Sequence, residues 1–155
     1  LEPVDRLQLG CVAALRDADM DLLEAHRQAL DDVTFRRARH VITENARTLA
    51  AASALEGNDL ATLGRLMADS HHSMRDDFEI TLPKIDRLVE ILWDAIGTVG
   101  GARMTGGGFG GCVVALLPQG RVAAAIAAVA ARYRSPHGLP GEIHRCRASA
   151  GAGLL

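Results

Sequence analysis

The residues best suited to chemistry lie in a glycine-rich stretch in the second half of the sequence. Between Thr105 and Cys112 the chain reads Gly-Gly-Gly-Phe-Gly-Gly, with glycine at five of these six positions. Glycine adopts backbone conformations with positive φ and lets a ligand approach the main chain, at a folding cost of roughly 0.5 to 1 kcal/mol each relative to alanine. Five glycines therefore indicate a backbone with a specific task.

Two interpretations of this glycine loop remain open. A tight hairpin or a β-bulge needs one or two glycines and would explain only part of the stretch. Alternatively, the backbone N–H groups form a concave site for an anion, or the loop packs against a neighbouring phosphate-binding loop. The number of glycines favours the second interpretation, and the candidate binding residues are Gly106, Gly107, Gly108, Gly110 and Gly111.

The common nucleotide-binding motifs do not match this loop. A P-loop would continue with Gly-Lys-Ser/Thr, and a Rossmann fingerprint would lead into a helix, whereas a short apolar segment follows here from Cys112. No lysine lies near the loop, so the positive charge that phosphoryl transfer requires has to come from elsewhere.

Other candidate ligands are weaker. His71 and His72 are adjacent rather than four positions apart on a helix, which disfavours zinc and favours a role in capping the preceding helix. Asp76 and Asp77 could hold a cation together, but neighbouring acids near a helix end more often cap the helix and form surface ion pairs. We therefore predict no metal site.

Composition bounds the class of protein. The 155 residues amount to about one domain, with 48% hydrophobic residues, 23% charged residues and a net charge of −2. The 17 basic residues are spread along the chain, which argues against nucleic-acid binding. No apolar run reaches the roughly 18 residues that a membrane span requires. Three widely spaced cysteines indicate reduced thiols in a cytoplasmic protein.

Apolar periodicity predicts helices in the first two thirds of the chain. They cover roughly 17–30, 35–56 and 60–72, and a further helix begins at Pro83. Gly57 is the expected C-cap of the second helix, and Asn58 or Asp59 the N-cap of the third. The helix from Pro83 should bury Ile85, Leu88, Val89, Leu92 and Ile96.

The later part of the chain alternates strands and a helix. The pattern predicts strands at 102–105 and 112–117, a helix at 121–134 and an edge strand at 142–149. The run 112–117 is apolar at every position, as in a central strand covered on both faces. Trp93 and Phe109 are expected to be packing anchors. Together these elements predict an α+β fold with helices on one face of a small sheet.

Three segments carry a family resemblance. Residues 101–112, Gly-Ala-Arg-Met-Thr-Gly-Gly-Gly-Phe-Gly-Gly-Cys, closely resemble the third GHMP kinase motif in its galactokinase form. Residues 37–45, Arg-Ala-Arg-His-Val-Ile-Thr-Glu-Asn, and 70–80, Ser-His-His-Ser-Met-Arg-Asp-Asp-Phe-Glu-Ile, also resemble galactokinases, in the same order. Mevalonate and homoserine kinases share the glycine loop in altered form but lack the Arg-Asp-Asp-aromatic-Glu segment. The resemblance covers nearly the whole chain.

The resemblance implies a fold and a reaction. The fold is α+β, a GHMP kinase C-terminal domain over residues 1–155, with a ferredoxin-like sheet and helices packed mainly on one face. In the intact enzyme, ATP and Mg²⁺ serve the phosphorylation of galactose at its anomeric hydroxyl to give galactose 1-phosphate. The N-terminal sugar-binding and phosphate-cradling motifs of the family do not occur here, and residues 1–10 contain no initiating Met and no leader. The chain is thus expected to be a fragment that meets galactose and ATP through a missing domain.

The resemblance also implies which residues act. The catalytic Asp and its partner Arg belong to the missing domain, so no residue here is assigned as catalytic and the isolated chain is expected to be inactive. The glycine loop borders the active site between the two domains. Ser70, Arg75 and Asp76 lie in a matched segment and, with Thr105, are expected to support the loop. Ordinary packing and hydrogen bonding are the alternative role for these four residues.

Other functions remain open at this stage. The chain could be a freestanding ligand-binding or regulatory module derived from a GHMP kinase, the C-terminal half of another GHMP sugar kinase, or a structural interaction domain. The face that meets the missing domain should be an exposed apolar patch, which predicts self-association.

Overall fold

A computed structural model describes residues 14–147 of the chain. Within this range the elements are, in chain order, α1 (Met20–Ala25), α2 (Asp32–Glu56), α3 (Leu60–Asp76), α4 (Pro83–Ile96), β1 (Gly101–Thr105), β2 (Cys112–Leu116) and α5 (Val122–Arg132). Single 3-10 turns flank α1, which is shorter than predicted. The predicted order of helices and strands up to α5 is confirmed, and so is the α+β class.

The helix ends follow the signals in the sequence. The side chains of Asp31 and Asp59 accept hydrogen bonds from the backbone N–H groups of Thr34 and Thr62, at 2.8 and 2.9 Å, and so begin α2 and α3. Gly57 caps the C-terminus of α2 as predicted. Pro83 occupies the first turn of α4, where its missing N–H costs nothing.

Helix α3 continues one turn beyond its predicted end near His72. Its last turns are buried at Ser70, His71, Ser73 and Met74, so tertiary packing extends a segment whose polar residues favoured an earlier stop. The predicted capping role of His71 and His72 is therefore wrong, because both lie inside the helix.

The sheet described in residues 14–147 consists of one antiparallel pair, β1 and β2. Gly101 lies opposite Leu116 and Thr105 opposite Cys112. Alternate residues of β2 are exposed, so the prediction of a strand covered on both faces is wrong. The predicted strand at 142–149 is also wrong for residues 142–147, which form no strand, while 148 and 149, like 1–10, lie outside the described residues.

The core lies mainly between α4, β1 and α5. Four of the five predicted core residues of α4 are buried, and Leu88 packs partly against the same cluster. Trp93 packs there as expected, and its Nε1–H donates to the carbonyl of Ala102 at 2.9 Å. In contrast, Leu49 and Leu55 of α2 are exposed, and the cluster that α2 forms with α1 involves only the first half of α2. Its buried residues are therefore concentrated near its N-terminus.

Glycines allow α3 and β1 to approach each other at backbone distance. A Cβ placed on Gly64 would lie 2.0 Å from the carbonyl oxygen of Gly100, and one on Gly101 would lie 2.7 Å from the Cα of Gly64. The obstacle at both positions is main chain, which cannot rotate away as a side chain can. This contact fixes the position of β1, and with it the start of the glycine loop, relative to α3.

We predict that Gly64→Ala destabilises the fold by about 3 kcal/mol or more, because the added methyl group meets backbone that must move as a unit. Helix propensity alone would make the alanine variant more stable by about 1 kcal/mol. A loss of stability would therefore be due to the close contact and not to helix propensity. Urea unfolding gives the measurement. Gly120→Ala, where nothing lies within 4 Å, is the control and should stay within about 0.5 kcal/mol. Equal unfolding midpoints for the two variants would contradict the close contact.

Candidate functional site

The glycine loop, residues 106–111, joins the two strands of the hairpin. Four of its glycines have positive φ: 100° at Gly106, 83° at Gly108, 136° at Gly110 and 89° at Gly111. Phe109 has a φ of 56°. The loop is thus a hairpin connection, as the simpler interpretation expected, but it contains more left-handed backbone than a two-residue turn requires.

One side of the loop is pinned and the other is open. The N–H of Phe109 donates to the carbonyl of Ile80 at 2.7 Å. A Cβ on Gly108 would lie 2.8 Å from the Cβ of Ile80, whereas nothing lies within 4 Å of the Cβ directions of Gly106, Gly107 and Gly110. The open side leaves room for a ligand or a second loop to approach the backbone closely.

The prediction that Phe109 is a packing anchor is wrong. The residue is 72% exposed. Its left-handed backbone and the hydrogen bond to Ile80 hold the main chain against the α3–α4 turn, while the ring points away from the core.

Ile80 belongs to the turn between α3 and α4, which side chains from α2 hold. Nη1 of Arg36 donates to Oε1 of Glu79 at 2.8 Å, and Nη2 of Arg37 donates to Oε2 of Glu79 at 2.6 Å. The same guanidinium groups donate to the backbone carbonyls of Asp76 and Asp77. Hydrogen bonds from Arg36 and Arg37 lower the pKa of Glu79. We call Arg36, Arg37 and Glu79 the Glu79 clamp.

A buried polar chain lies beneath this turn. Arg39 pairs with Asp77, and the hydroxyl of Ser73 donates to Oδ2 of Asp77 at 3.0 Å. Because the hydroxyl proton of Ser73 is engaged there, Ser73 accepts from Nδ1–H of His40 at 2.9 Å. The His40 ring stacks on Phe78 with ring centroids 4.5 Å apart, and burial lowers the pKa of His40.

A second polar cluster joins α2, α3 and β1. The Ser70 hydroxyl donates to Oε2 of Glu44 at 2.7 Å and accepts from Nη1 of Arg103 at 2.5 Å. Burial alone would raise the pKa of Glu44, but hydrogen bonds from Ser70 and Arg47, with the charges of Arg47 and Arg103, lower it. Ser70 therefore reaches the strand that leads into the glycine loop rather than the loop itself.

The other predicted support residues have local partners. Arg75 and Asp76 form a bidentate pair with each other, with N–O distances of 2.8 and 3.0 Å, on the exposed side of α3. Thr105 ends β1 directly before the loop. The contact that reaches the loop from the α3–α4 turn comes from Ile80, which was not among the predicted site residues. Arg36, Arg37 and Glu79 were missed as well, although Arg37 and Glu79 lie in the resembling segments. The supporting roles of Ser70, Arg75, Asp76 and Thr105 remain predictions.

His71 is a buried titratable residue behind the hairpin. Its Nδ1 accepts from the backbone N–H of Met104 at 3.3 Å, which places the ring proton on Nε2, 3.2 Å from Oδ1 of Asp86. The edge of the ring meets Trp93. Burial lowers the pKa of His71, and the charge of Asp86 only partly opposes that effect.

The donor set near the loop does not suit a resident Mg²⁺. The carboxylates of Glu79, Asp77 and Asp76 are each bound by arginine. Within residues 14–147, no group of three or more His, Cys, Asp or Glu side chains is arranged to hold a metal ion.

Among the helices described in residues 14–147, none combines the length and the apolar character needed to cross a bilayer.

Comparison with known proteins identifies the family to which this fold belongs. Residues 51–135 match the family model described as GHMP kinases C terminal, which is more than half of the chain. The chain belongs to the GHMP kinase family. It is also similar to the galactokinase of Lactococcus lactis, whose crystal structure was solved with galactose, at 37% identity and a TM-score of 0.76. The alignment covers 83% of this chain and 33% of that one, so the chain spans about a third of this relative. The resemblance to galactokinase C-terminal domains is confirmed.

We predict that the fold loses stability as the pH falls from 7 to 5.5. The folded pKa of His71 is lowered from 6.5, so below that pH the unfolded chain binds a proton that the folded chain does not. Each such histidine contributes a slope of at most about 1.4 kcal/mol per pH unit, and His40 acts in the same direction.

The measurement is the free energy of unfolding in urea at pH 7 and pH 5.5. His71→Asn, which retains an acceptor for Met104, should reduce the difference between the two values. His144→Asn changes a histidine whose side chain is 76% exposed and should leave the difference as in the parent chain. If the free energy of unfolding changes between pH 7 and pH 5.5 by the same amount in His71→Asn as in the parent chain, His71 is not the source of the pH dependence.

Proposed function

We propose that this chain is the C-terminal half of a galactokinase. The intact enzyme transfers the γ-phosphoryl group of ATP to the anomeric hydroxyl of galactose, giving galactose 1-phosphate in the cytoplasm, and the isolated chain has no kinase activity. One observation supports this proposal above the others. The three segments that resemble galactokinases lie apart in sequence but are linked by contacts: Arg37 donates to Glu79, and the next residue, Ile80, accepts from Phe109 of the glycine loop.

In the proposed enzyme, this chain positions the glycine loop and a second domain provides the catalytic residues and the ligand sites. In this chain the loop is pinned through Ile80 and open on its other side, which suits a backbone that borders the phosphates of ATP without contributing charge. The proposed cofactor-bordering residues are Gly106, Gly107, Gly108, Gly110 and Gly111. The domain that completes the enzyme supplies the catalytic residues and the sites for galactose, ATP and Mg²⁺. Catalysis of this type consists mainly of positioning and electrostatic stabilisation.

The exposed face of the hairpin fits an interdomain surface. Val114 is 45% exposed and Leu116 is 37% exposed, on the side of β2 away from the helices. Self-association of the isolated chain through such a surface stays a prediction, which analytical ultracentrifugation over a range of concentrations would check.

A chimera tests the proposed function. The matching third of the Lactococcus lactis galactokinase is replaced by this chain, and ADP release is followed in a coupled assay with galactose. We expect galactose-dependent turnover by the chimera and none by the 155-residue chain, which should also show no heat of binding with MgATP or galactose. A folded chimera that acts only on a different sugar would favour another GHMP sugar kinase. Tight MgATP binding by the chain alone would favour a freestanding module.

Two neighbouring glycines give a sharper test of the loop. Gly108→Ala adds a methyl group against Ile80 at a φ of 83°, and we expect turnover by the chimera to fall at least tenfold, because small displacements of a positioning element are costly. Gly107→Ala meets no neighbour, and its φ is not positive, so the melting temperature of the chain should stay unchanged. A higher KM for ATP in the Gly107→Ala chimera would support phosphate at the open side of the loop. Unchanged turnover of Gly108→Ala would contradict the positioning role.

A further inference from the structure

The Glu79 clamp connects α2 to the glycine loop through a single residue, Ile80. We propose that Glu79 is a positioning residue: its carboxylate, held by Arg36 and Arg37, fixes the carbonyl of Ile80 and thereby sets the position of the glycine loop at the reacting phosphate. This inference rests on the proposed function for its last step and on geometry alone for the others.

The first step is the conformation of Glu79 itself. Its φ of 57° lies in the left-handed region, which a non-glycine residue adopts only when its surroundings hold it there. Here each carboxylate oxygen accepts from a different arginine, at 2.8 and 2.6 Å. Two charge-assisted hydrogen bonds from different donors fix both the place and the orientation of the carboxylate. The two ion pairs of the clamp therefore stabilise the left-handed backbone conformation of Glu79.

The second step leads from Glu79 to the loop. The peptide that follows Glu79 belongs to Ile80, whose N–H donates to the carbonyl of Met74 at 3.0 Å. Its carbonyl accepts from the N–H of Phe109 at 2.7 Å, and its side chain fills the space beside Gly108. A change of backbone angle at Glu79 displaces Ile80 as a whole, and with it the carbonyl acceptor on which the loop depends.

The third step separates positioning from folding. The side chain of Glu79 is 50% exposed, and those of Arg36 and Arg37 are also partly exposed. Exposed ion pairs contribute little to global stability. The core clusters lie among other residues. Loss of the clamp should therefore release the loop while the domain remains folded.

The test first measures the loop directly, in the 155-residue chain. Hydrogen exchange of the Phe109 amide is followed by NMR in the parent chain, in Glu79→Gln and in Glu79→Gly. Glu79→Gln retains the shape without the charge, and Glu79→Gly retains the positive φ without the carboxylate. Glu90→Gln is the control, because Glu90 is 49% exposed and pairs with Arg87 on α4, away from the loop.

We expect Phe109 exchange to accelerate at least about tenfold in both Glu79 variants, with amides in the middle of α4 unchanged, because local opening need not involve the whole domain. Glu90→Gln should exchange as the parent chain does. Unchanged Phe109 exchange in both Glu79 variants overturns the proposal, whatever the kinase assay shows. Equal acceleration at Phe109 and in the middle of α4 also overturns it, because the clamp would then serve global folding.

The second measurement concerns the reaction and uses the chimera described above. Glu79→Gln should lower kcat by about ten- to a hundredfold with little change in the KM for galactose, because a misplaced loop affects positioning in the transition state more than sugar binding. An unchanged kcat, in a chimera whose parent form is active, overturns the role in catalysis. If the parent chimera itself does not phosphorylate galactose, the proposed function fails, and the exchange experiment alone decides whether the clamp sets the loop.

Discussion

Arginine side chains from α2 hold the C-terminal end of α3, and the arrangement of the site depends on this contact. A helix ends with backbone carbonyls that lack intrahelical partners and with a partial negative charge. Arg36 and Arg37 donate to the carbonyls of Asp76 and Asp77, and Arg39 binds the Asp77 side chain. No glycine is available here to close the helix. The turn that follows takes its conformation from these donors, and it carries Ile80 to the glycine loop.

The same helix determines where the loop begins. Helix α3 meets β1 through Gly64 near its start, through Ser70 and Arg103 in its middle, and through His71 and the backbone of Met104. These contacts run along the strand, so α3 holds β1 over its length and the two form one packed unit. The glycine loop begins directly after Thr105, the last residue of β1. It is held a second time at Phe109, whose N–H donates to Ile80 in the turn that follows α3. Two attachments from one helix therefore restrict a loop whose glycines would otherwise leave it flexible.

Local signals in the sequence predicted most of the fold. Capping aspartates, Pro83 and the apolar spacing of α4 act over a few residues, and the structure follows them. The errors occurred where distant contacts decide the outcome. Burial extended α3 past His72, and β2 lacks cover on one face in the described part of the chain. The apolar side chain of Phe109 predicted burial. The left-handed backbone at this position instead turns the ring outward, and the residue type alone does not reveal that conformation.

The glycine loop could be recognised in the sequence as a candidate site, but the residues that hold it in place could not. Arg36 and Glu79 are 43 positions apart, and a chain with many arginines and acids offers many equally plausible pairs. The pairing has a chemical consequence for the function. Around the loop, Arg36, Arg37, Arg39 and Arg103 are each bound to a carboxylate of this chain. Because each of these guanidinium groups is already engaged by a carboxylate, and those of Arg36 and Arg37 also by backbone carbonyls, these residues are better suited to hold a backbone in place than to bind a phosphate. The contacts of this chain are therefore organised to position the glycine loop, and under the proposed function the charge that phosphoryl transfer requires would come from the domain that completes the enzyme.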